Sequence, residues 1–187
     1  MVANGIGTQN ALRFNGTTQY LKSTNAYTNT GTTLTMFVVS QRITAGGSFD
    51  GYVSSIFPGT LDYDDVRNFS YNQGNGSTEM RIDRKNGASA TLVHPGSSIS
   101  LIGTVKFDGA LLTHYQKTAS TTTSTSGASS GTFGCTSTSI GARQAGGGGA
   151  INEFTNTFIG EVLIYNSALN DTDRATVVSY LSTKWGV

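Results

Sequence analysis

The sequence predicts an all-β chain: a two-sheet antiparallel β-sandwich over residues 1–187, closed by one short C-terminal α-helix. Three observations predict it. Gly, Ser, Thr and Asn crowd the sequence, with 24 Gly against 2 Pro and only 12% charged residues, a composition of strands and turns rather than of helix formers. Short β-prone runs recur between turn signals, among them Lys85-Asn86-Gly87 and Phe107-Asp108-Gly109, whose Asn-Gly and Asp-Gly pairs close hairpins. Helical signals gather in the stretch that follows Asn170.

Strands are expected near residues 10–14, 18–22, 32–42, 51–57, 66–72, 79–84, 89–94, 99–107, 111–117, 137–142 and 158–166. Many short strands at this spacing argue for a sandwich. The run at 32–42 sets Leu34, Met36 and Val38 on one face. Phe37 and Val39 make the other face apolar as well, which predicts a central strand covered on both sides, on one of them by the terminal helix. Two segments break the rhythm. Thr118 to Thr132 is almost all Ser, Thr, Gly and Ala, and Gln144 to Ala150 holds four consecutive glycines, Gly146 to Gly149. Neither can bury much apolar surface, so both are expected as surface loops. The Ser/Thr segment has the alternative of extending a sheet edge, since Thr favours strands. Subunits packed around these loops would order them, which makes Thr118, Ser124, Gly146 and Gly149 the expected assembly contacts.

The helix is predicted over Asp171 to Lys184. Asn170 is a good N-cap with Asp173 three residues on, Asp171 and Asp173 suit the positive end of the helix dipole, and Lys184 and Gly186 suit its end. Val177, Tyr180, Leu181 and Trp185 form the apolar stripe expected to pack on a sheet.

The closing segment, from Phe158 to Val187, resembles that of bacterial and viral concanavalin A-like, or laminin G-like, jelly-roll domains. Gly160, Glu161, Tyr165, Asn166, Leu169, Tyr180, Leu181, Lys184, Trp185 and Gly186 stand where that pattern puts them. The blocks from Ala11 to Ser23, Thr33 to Arg42 and Gly103 to Gln116 resemble earlier core strands of the same family. The resemblance implies one sandwich domain over nearly the whole chain. It leaves function open, because such sandwiches bind glycans, cleave them, bind proteins or build particles.

Catalytic chemistry is not expected. The glycan-cleaving members of that fold often carry Glu-x-Asp-x-x-Glu on one strand, whereas Glu79, Glu153 and Glu161 here are scattered. Glu79 and Asp83 share a strand face with Arg81 between them, and an ion-paired structural role is the preferred reading. His94 and His114 belong to no nucleophile or zinc pattern, and Cys135 is a single cysteine expected to be small and buried. The dense acidic cluster Asp62-Tyr63-Asp64-Asp65 is the candidate ligand site. Asp62, Asp64 and Asp65 are its candidate calcium ligands, and Tyr63 and Tyr71, with Tyr52, are candidate sugar platforms. No other cofactor is expected.

A net charge of +1 gives no pull toward nucleic acid or an anionic membrane, and no apolar run is long enough to span a bilayer. The segment Met1 to Gly5 lacks the features of a secretory signal. The expected function is that of a non-catalytic surface protein of a virus particle, a bacteriophage decoration or fibre component. Its expected partners are other virion proteins and further copies of itself, a trimer included, and host glycans where it also adheres. The alternative is an extracellular carbohydrate-binding module.

Overall fold

The computed structural model describes residues 1–23, 30–44, 46–76, 78–85 and 88–187. Two antiparallel sheets stack as a jelly-roll β-sandwich. In spatial order the seven-stranded sheet contains β1 (Val2–Ile6), β2 (Gln9–Asn15), β15 (Asn156–Tyr165), β4 (Thr33–Arg42), β9 (Ser100–Asp108), β10 (Leu111–Lys117) and β11 (Thr122–Ala128). The six-stranded sheet runs β3 (Leu21–Ser23), β12 (Ser137–Ile140), β5 (Gly51–Ile56), β6 (Phe69–Gln73), β7 (Glu79–Arg84) and β8 (Ala88–Val93). A small ribbon, β13 (Arg143–Gly146) with β14 (Ala150–Asn152), and the helix α1 (Asp171–Trp185) complete the chain.

The expected strands are present within a few residues. The β9–β10 hairpin closes one residue later than an Asp-Gly turn would: Asp108 pairs with Leu111, so the loop is Gly109-Ala110, with the positive φ (61°) at its first position, where a Gly-X hairpin turn needs glycine. Asn86-Gly87 lies outside the described residues, although the strands it joins pair as far as Arg84 opposite Ala88. The Ser/Thr segment takes its alternative role: β11 pairs with β10 over seven consecutive residues. Backbone hydrogen bonds from β10 give it order that its apolar content could not. The glycine run also departs from a plain loop. It is the tip of the β13–β14 ribbon, where Gly148 (φ 70°) and Gly149 (φ 79°) turn the chain.

β4 is the central strand, and its two faces serve two cores. Leu34, Met36 and Val38 enter the layer between the sheets with Phe14, Val53, Phe69, Tyr71, Ile82, Phe107 and Leu112. Phe37 and Val39 enter a second layer with Ile102, Leu181 and Trp185, the layer that seats α1 on the outside of the seven-stranded sheet. β15 also serves both layers, through a shift in register against β4 at Gly160. Ile159 and Val162 both join the inner layer, and Phe158 and Leu163 both join the outer one. Positions three and five apart share a face only because the irregularity inserts one residue.

α1 follows its sequence signals closely. The Asn170 side chain accepts from Asp173 N (2.9 Å), and Gly186 closes the helix in the left-handed region at φ 68°. One position of the stripe is corrected. Leu181 and Trp185 are buried and Val177 and Val178 pack beside them, but Tyr180 points outward. At 100° per residue Tyr180 lies one step off the line through Val178, Leu181 and Trp185, and its hydroxyl meets Lys184 Nζ at 3.0 Å instead.

Candidate functional site

The outer face of the six-stranded sheet is polar by register. Val53, Phe69, Tyr71, Met80, Ile82 and Ala90 turn inward to the core, so their strand neighbours turn outward. The pairings Ser139–Ser54, Ser54–Ser70, Ser70–Asp83 and Asp83–Ser89 set one row of small polar side chains across five strands. A second row places Asn72 beside Arg81 and Thr91. This face is roofed by the segment between β5 and β6 and by the β13–β14 ribbon.

One ion pair ties both pieces of the roof to the sheet. Arg143 of β13 grips Asp62 with two bonds, Nε to Oδ2 at 3.0 Å and Nη2 to Oδ1 at 2.5 Å, and both residues are buried. Ser54 donates to Asp62 Oδ2 (2.8 Å) and accepts from Gln144 N (3.2 Å), which links the pair to β5. The outer side of the same guanidinium reaches Glu153, Nη1 to Oε2 at 2.8 Å. Burial works against the Arg143 charge, yet Asp62 and Glu153 hold its pKa above the ordinary value.

Next to this pair a cleft of about 360 Å³ opens, lined by Phe49, Tyr63, Arg81, Asp83, Arg84, Arg143, Ala145 and Glu153. Its floor is the Arg81–Asp83 ion pair, with Asn72 donating to Asp83 Oδ2 at 2.9 Å. The Arg143 guanidinium lies 5.7 Å from the Phe49 ring centre and 5.5 Å from that of Tyr63. Tyr63 is 43% exposed and offers its ring to solvent. Phe49 (φ 66°) and Glu153 (φ 49°) both hold left-handed backbone, a conformation that bulky and acidic residues adopt at a cost of about 1–3 kcal/mol. Two of the four non-glycine residues in this state among those described therefore line one cleft. Beside it Asp50 is pushed up to about 6, mainly by burial and further by the negative charge of Glu153, while the Gly47 backbone N–H opposes the shift. Burial raises the Glu153 carboxyl too, against the pull of Arg143.

The residues expected at the site separate. Asp62 is the buried anchor of Arg143, and Tyr63 is on the cleft wall. Asp64 accepts from Leu61 N (3.0 Å), and Asp65 is held by Arg67, which keeps its carboxyl down at about 2. These carboxylates serve separate partners and do not converge: among the described residues no group of three His, Cys, Asp or Glu is placed to hold a metal. Tyr71 and Tyr52 are corrections. Both are fully buried between the sheets, 5.9 Å apart by ring centres: Tyr71 through the register of β6, and Tyr52 at the irregularity between Gly51 and Val53, which breaks the alternation of β5. Of the expected assembly contacts, Ser124 is exposed on β11. Thr118 turns inward to cap the β10–β11 connection through Thr121, and Gly149 is buried against Ile56.

Arg143, Glu153 and Phe49 were not singled out from the sequence. One signal for Arg143 was present: it is the lone Asp, Glu, Lys or Arg between Lys117 and Glu153. A charge kept in such a stretch needs a reason, and here that reason is Asp62. His94, His114 and Cys135 lie away from the cleft lining. Burial pushes His94 down to about 3 and His114 down to about 4, and it pushes the Cys135 thiol up to about 12. No helix among the described residues is long and apolar enough to cross a membrane.

No family model matches the sequence, and no curated protein matches it. Solved structures share the fold. A native heptameric SAP-like pentraxin from Limulus polyphemus is 14% identical, with a TM-score of 0.61 over 88% of this chain and 79% of that one. The enzymatically active domain of tailspike protein 2 from bacteriophage CBA120 is 13% identical, with a TM-score of 0.59 over 91% of this chain and 27% of that one. Trypanosoma rangeli sialidase in complex with sialic acid is 13% identical, with a TM-score of 0.61 over 94% of this chain and 28% of that one. This chain thus spans most of the pentraxin but little more than a quarter of the tailspike and sialidase chains. At such identities the likeness establishes the sandwich fold and nothing finer.

Proposed function

We propose that this chain is a non-catalytic glycan-binding module of the concanavalin A-like kind, displayed on an extracellular or particle surface, a phage virion being the particle that best fits its composition. The observation that carries the reading is the cleft. It offers two aromatic rings on its walls, paired guanidinium and carboxylate groups on its floor, and a rigid ion-paired roof. Sugars need that combination: C–H faces stack on rings, and vicinal hydroxyls bridge donors and acceptors fixed in place. The sialidase, tailspike and pentraxin likenesses supply the sandwich fold on which this reading builds. The two carboxylates of the cleft are already bonded to Arg81 and Arg143, an arrangement suited to holding hydroxyls rather than to the free acid and nucleophile of a glycosidase. In this reading the cleft holds its ligand without calcium, since Arg81 and Arg143 pair the carboxylates of Asp83, Asp62 and Glu153.

Tyr63→Ala is expected to weaken glycan affinity at least tenfold while leaving the thermal midpoint unchanged, since a half-exposed ring contributes little to folding. Isothermal titration against an array hit, with and without EDTA, checks this. Unchanged affinity in Tyr63→Ala defeats the cleft as the site.

A second, architectural role is favoured by β11. It is a seven-residue edge strand with no charge, no Pro and no break in register; Gly127 packs against Ser89 of β8, and the exposed stretch from Thr122 to Ser124 lacks the devices that protect edges. The other edges are guarded: β1 is irregular in register, β3 has three residues and a Lys, and β8 is covered at Ser89, whose carbonyl packs against Gly127 so closely that any side chain there would collide. β11 is suited to pair antiparallel with β11 of a second copy about a two-fold axis. Sedimentation should show a concentration-dependent dimer that Ser124→Lys with Ser126→Lys dissolves. A strict monomer, or a trimer indifferent to the lysines, rules out this pairing.

A further inference from the structure

From its charges we infer that the cleft takes an uncharged sugar, a neutral hexose or short hexose chain, and discriminates against sialic and uronic acids. This rests on the glycan-binding reading and narrows its ligand class.

Each cation that faces the cleft already has a partner. Arg143 is held by Asp62 through two bonds and by Glu153 through a third contact. Arg81 is paired with Asp83 through Nε alone, which leaves its outer N–H groups to neutral hydroxyls. Arg84 is 1% exposed and gives its N–H groups to Val66 O (2.7 Å), Gly131 O (2.8 Å) and Ser129 Oγ (3.0 Å), with its guanidinium 3.8 Å from the Phe133 ring centre. Three arginines thus stand against Asp62, Asp83 and Glu153, and the formal charges cancel. Asp50, near enough to feel the charge of Glu153, adds negative charge once it ionises.

A ligand carboxylate is recognised best by a guanidinium with both prongs free. Arg143 could receive it only by giving up Asp62, which strands a carboxylate that is 0% exposed, and an unpaired buried charge is strongly unfavourable. At Arg81 it would enter a cleft that already holds the carboxylates of Asp83 and Glu153, whose negative charge opposes it. A neutral sugar asks for no exchange. Its hydroxyls donate to the free lone pairs of Asp83 and Glu153, and its ring face lies on Tyr63 or Phe49. The volume, about 360 Å³, is at the small end of ligand sites and suits one or two rings.

The test titrates the intact chain with matched pairs of equal ring number that differ in charge: the methyl ester of sialyllactose against sialyllactose, and cellobiose against its uronic acid. The neutral member is expected to bind about tenfold or more tightly, the scale of one misplaced charge. Glu153→Gln, which frees one prong of Arg143, is expected to narrow that ratio severalfold. If the acidic member binds as well as the neutral one and Tyr63→Ala abolishes both, the cleft reading stands and the neutral-sugar inference is overturned. If neither member of any pair binds, or if binding survives both Tyr63→Ala and Phe49→Ala, the cleft reading falls and takes the inference with it.

Discussion

Arg143→Ala is expected to destabilise the protein by about 3–5 kcal/mol and to abolish ligand binding. The magnitude is that of removing one partner from a buried pair. Asp62 is 0% exposed and would be left buried with only the Ser54 hydroxyl as a side-chain partner. The loss is also geometric: Arg143 joins the β13–β14 ribbon to the segment that carries Tyr63, so the cleft wall loosens with it. Arg143→Lys should rescue little, because an ammonium cannot make the two parallel bonds to Asp62 together with the contact to Glu153. Adding Asp62→Asn to Arg143→Ala should recover part of the stability and none of the binding, because it removes the stranded charge without rebuilding the wall. Denaturant midpoints of the single and double variants check the first half, and titration checks the second. A fall of less than about 1 kcal/mol in Arg143→Ala would mean that solvent screens the pair as it does a surface salt bridge.

Trp185→Ala is expected to cost about 3–5 kcal/mol and to release α1 from the sheet before the sandwich itself unfolds. Trp185 is 4% exposed and fills the outer layer with Leu181, Phe37 and Ile102. Its ring lies on the bare backbone of Gly160, where an added Cβ would stand 2.6 Å from the ring atoms, and its Nε1 donates to Glu161 Oε2 at 2.9 Å. Lys184 Nζ reaches the same oxygen at 2.9 Å. Gly160→Ala should therefore act on the same contact from the other side, with the two effects far from additive in the double variant. Trp185 is the single tryptophan, so in the wild type its fluorescence reports helix docking directly. Hydrogen exchange of the α1 amides checks the prediction. Equal protection of α1 and β4 in Trp185→Ala would show that the helix is held by something else.

These two sites differ in how far the sequence announces them. Gly160, Glu161, Lys184 and Trp185 stand close together at the end of the chain, and a strand followed by a capped helix brings them within reach of one another by local geometry. The Asn170 cap, the Gly186 terminus and the Gly109 turn depend on neighbours a few residues away, so their chemistry is written locally. β11 was half legible: Thr content argued for a strand, but only the free edge of β10 supplies its hydrogen bonds. The cleft was hardly legible. Tyr63 and Asp62 came out of the acidic cluster, for a reason the fold does not use, since their companions Asp64 and Asp65 bond elsewhere. Tyr71 pointed the wrong way, because the face a residue takes in a strand that alternates Phe69, Ser70, Tyr71 and Asn72 is fixed only when one face meets the opposite sheet.

By itself the sequence determined the class of fold, most of the strands, the helix with both its ends, and the double burial of β4. Periodicity, turn chemistry and capping act over a few residues, and a linear chain displays them in full. Only the tertiary structure decided the site. Asp62 and Arg143 are eighty-one positions apart in the chain, and Phe49, Asp83 and Glu153 come from three further segments. Such a cleft exists only once pairing across the six-stranded sheet has fixed which side chains face outward and which loops close over them.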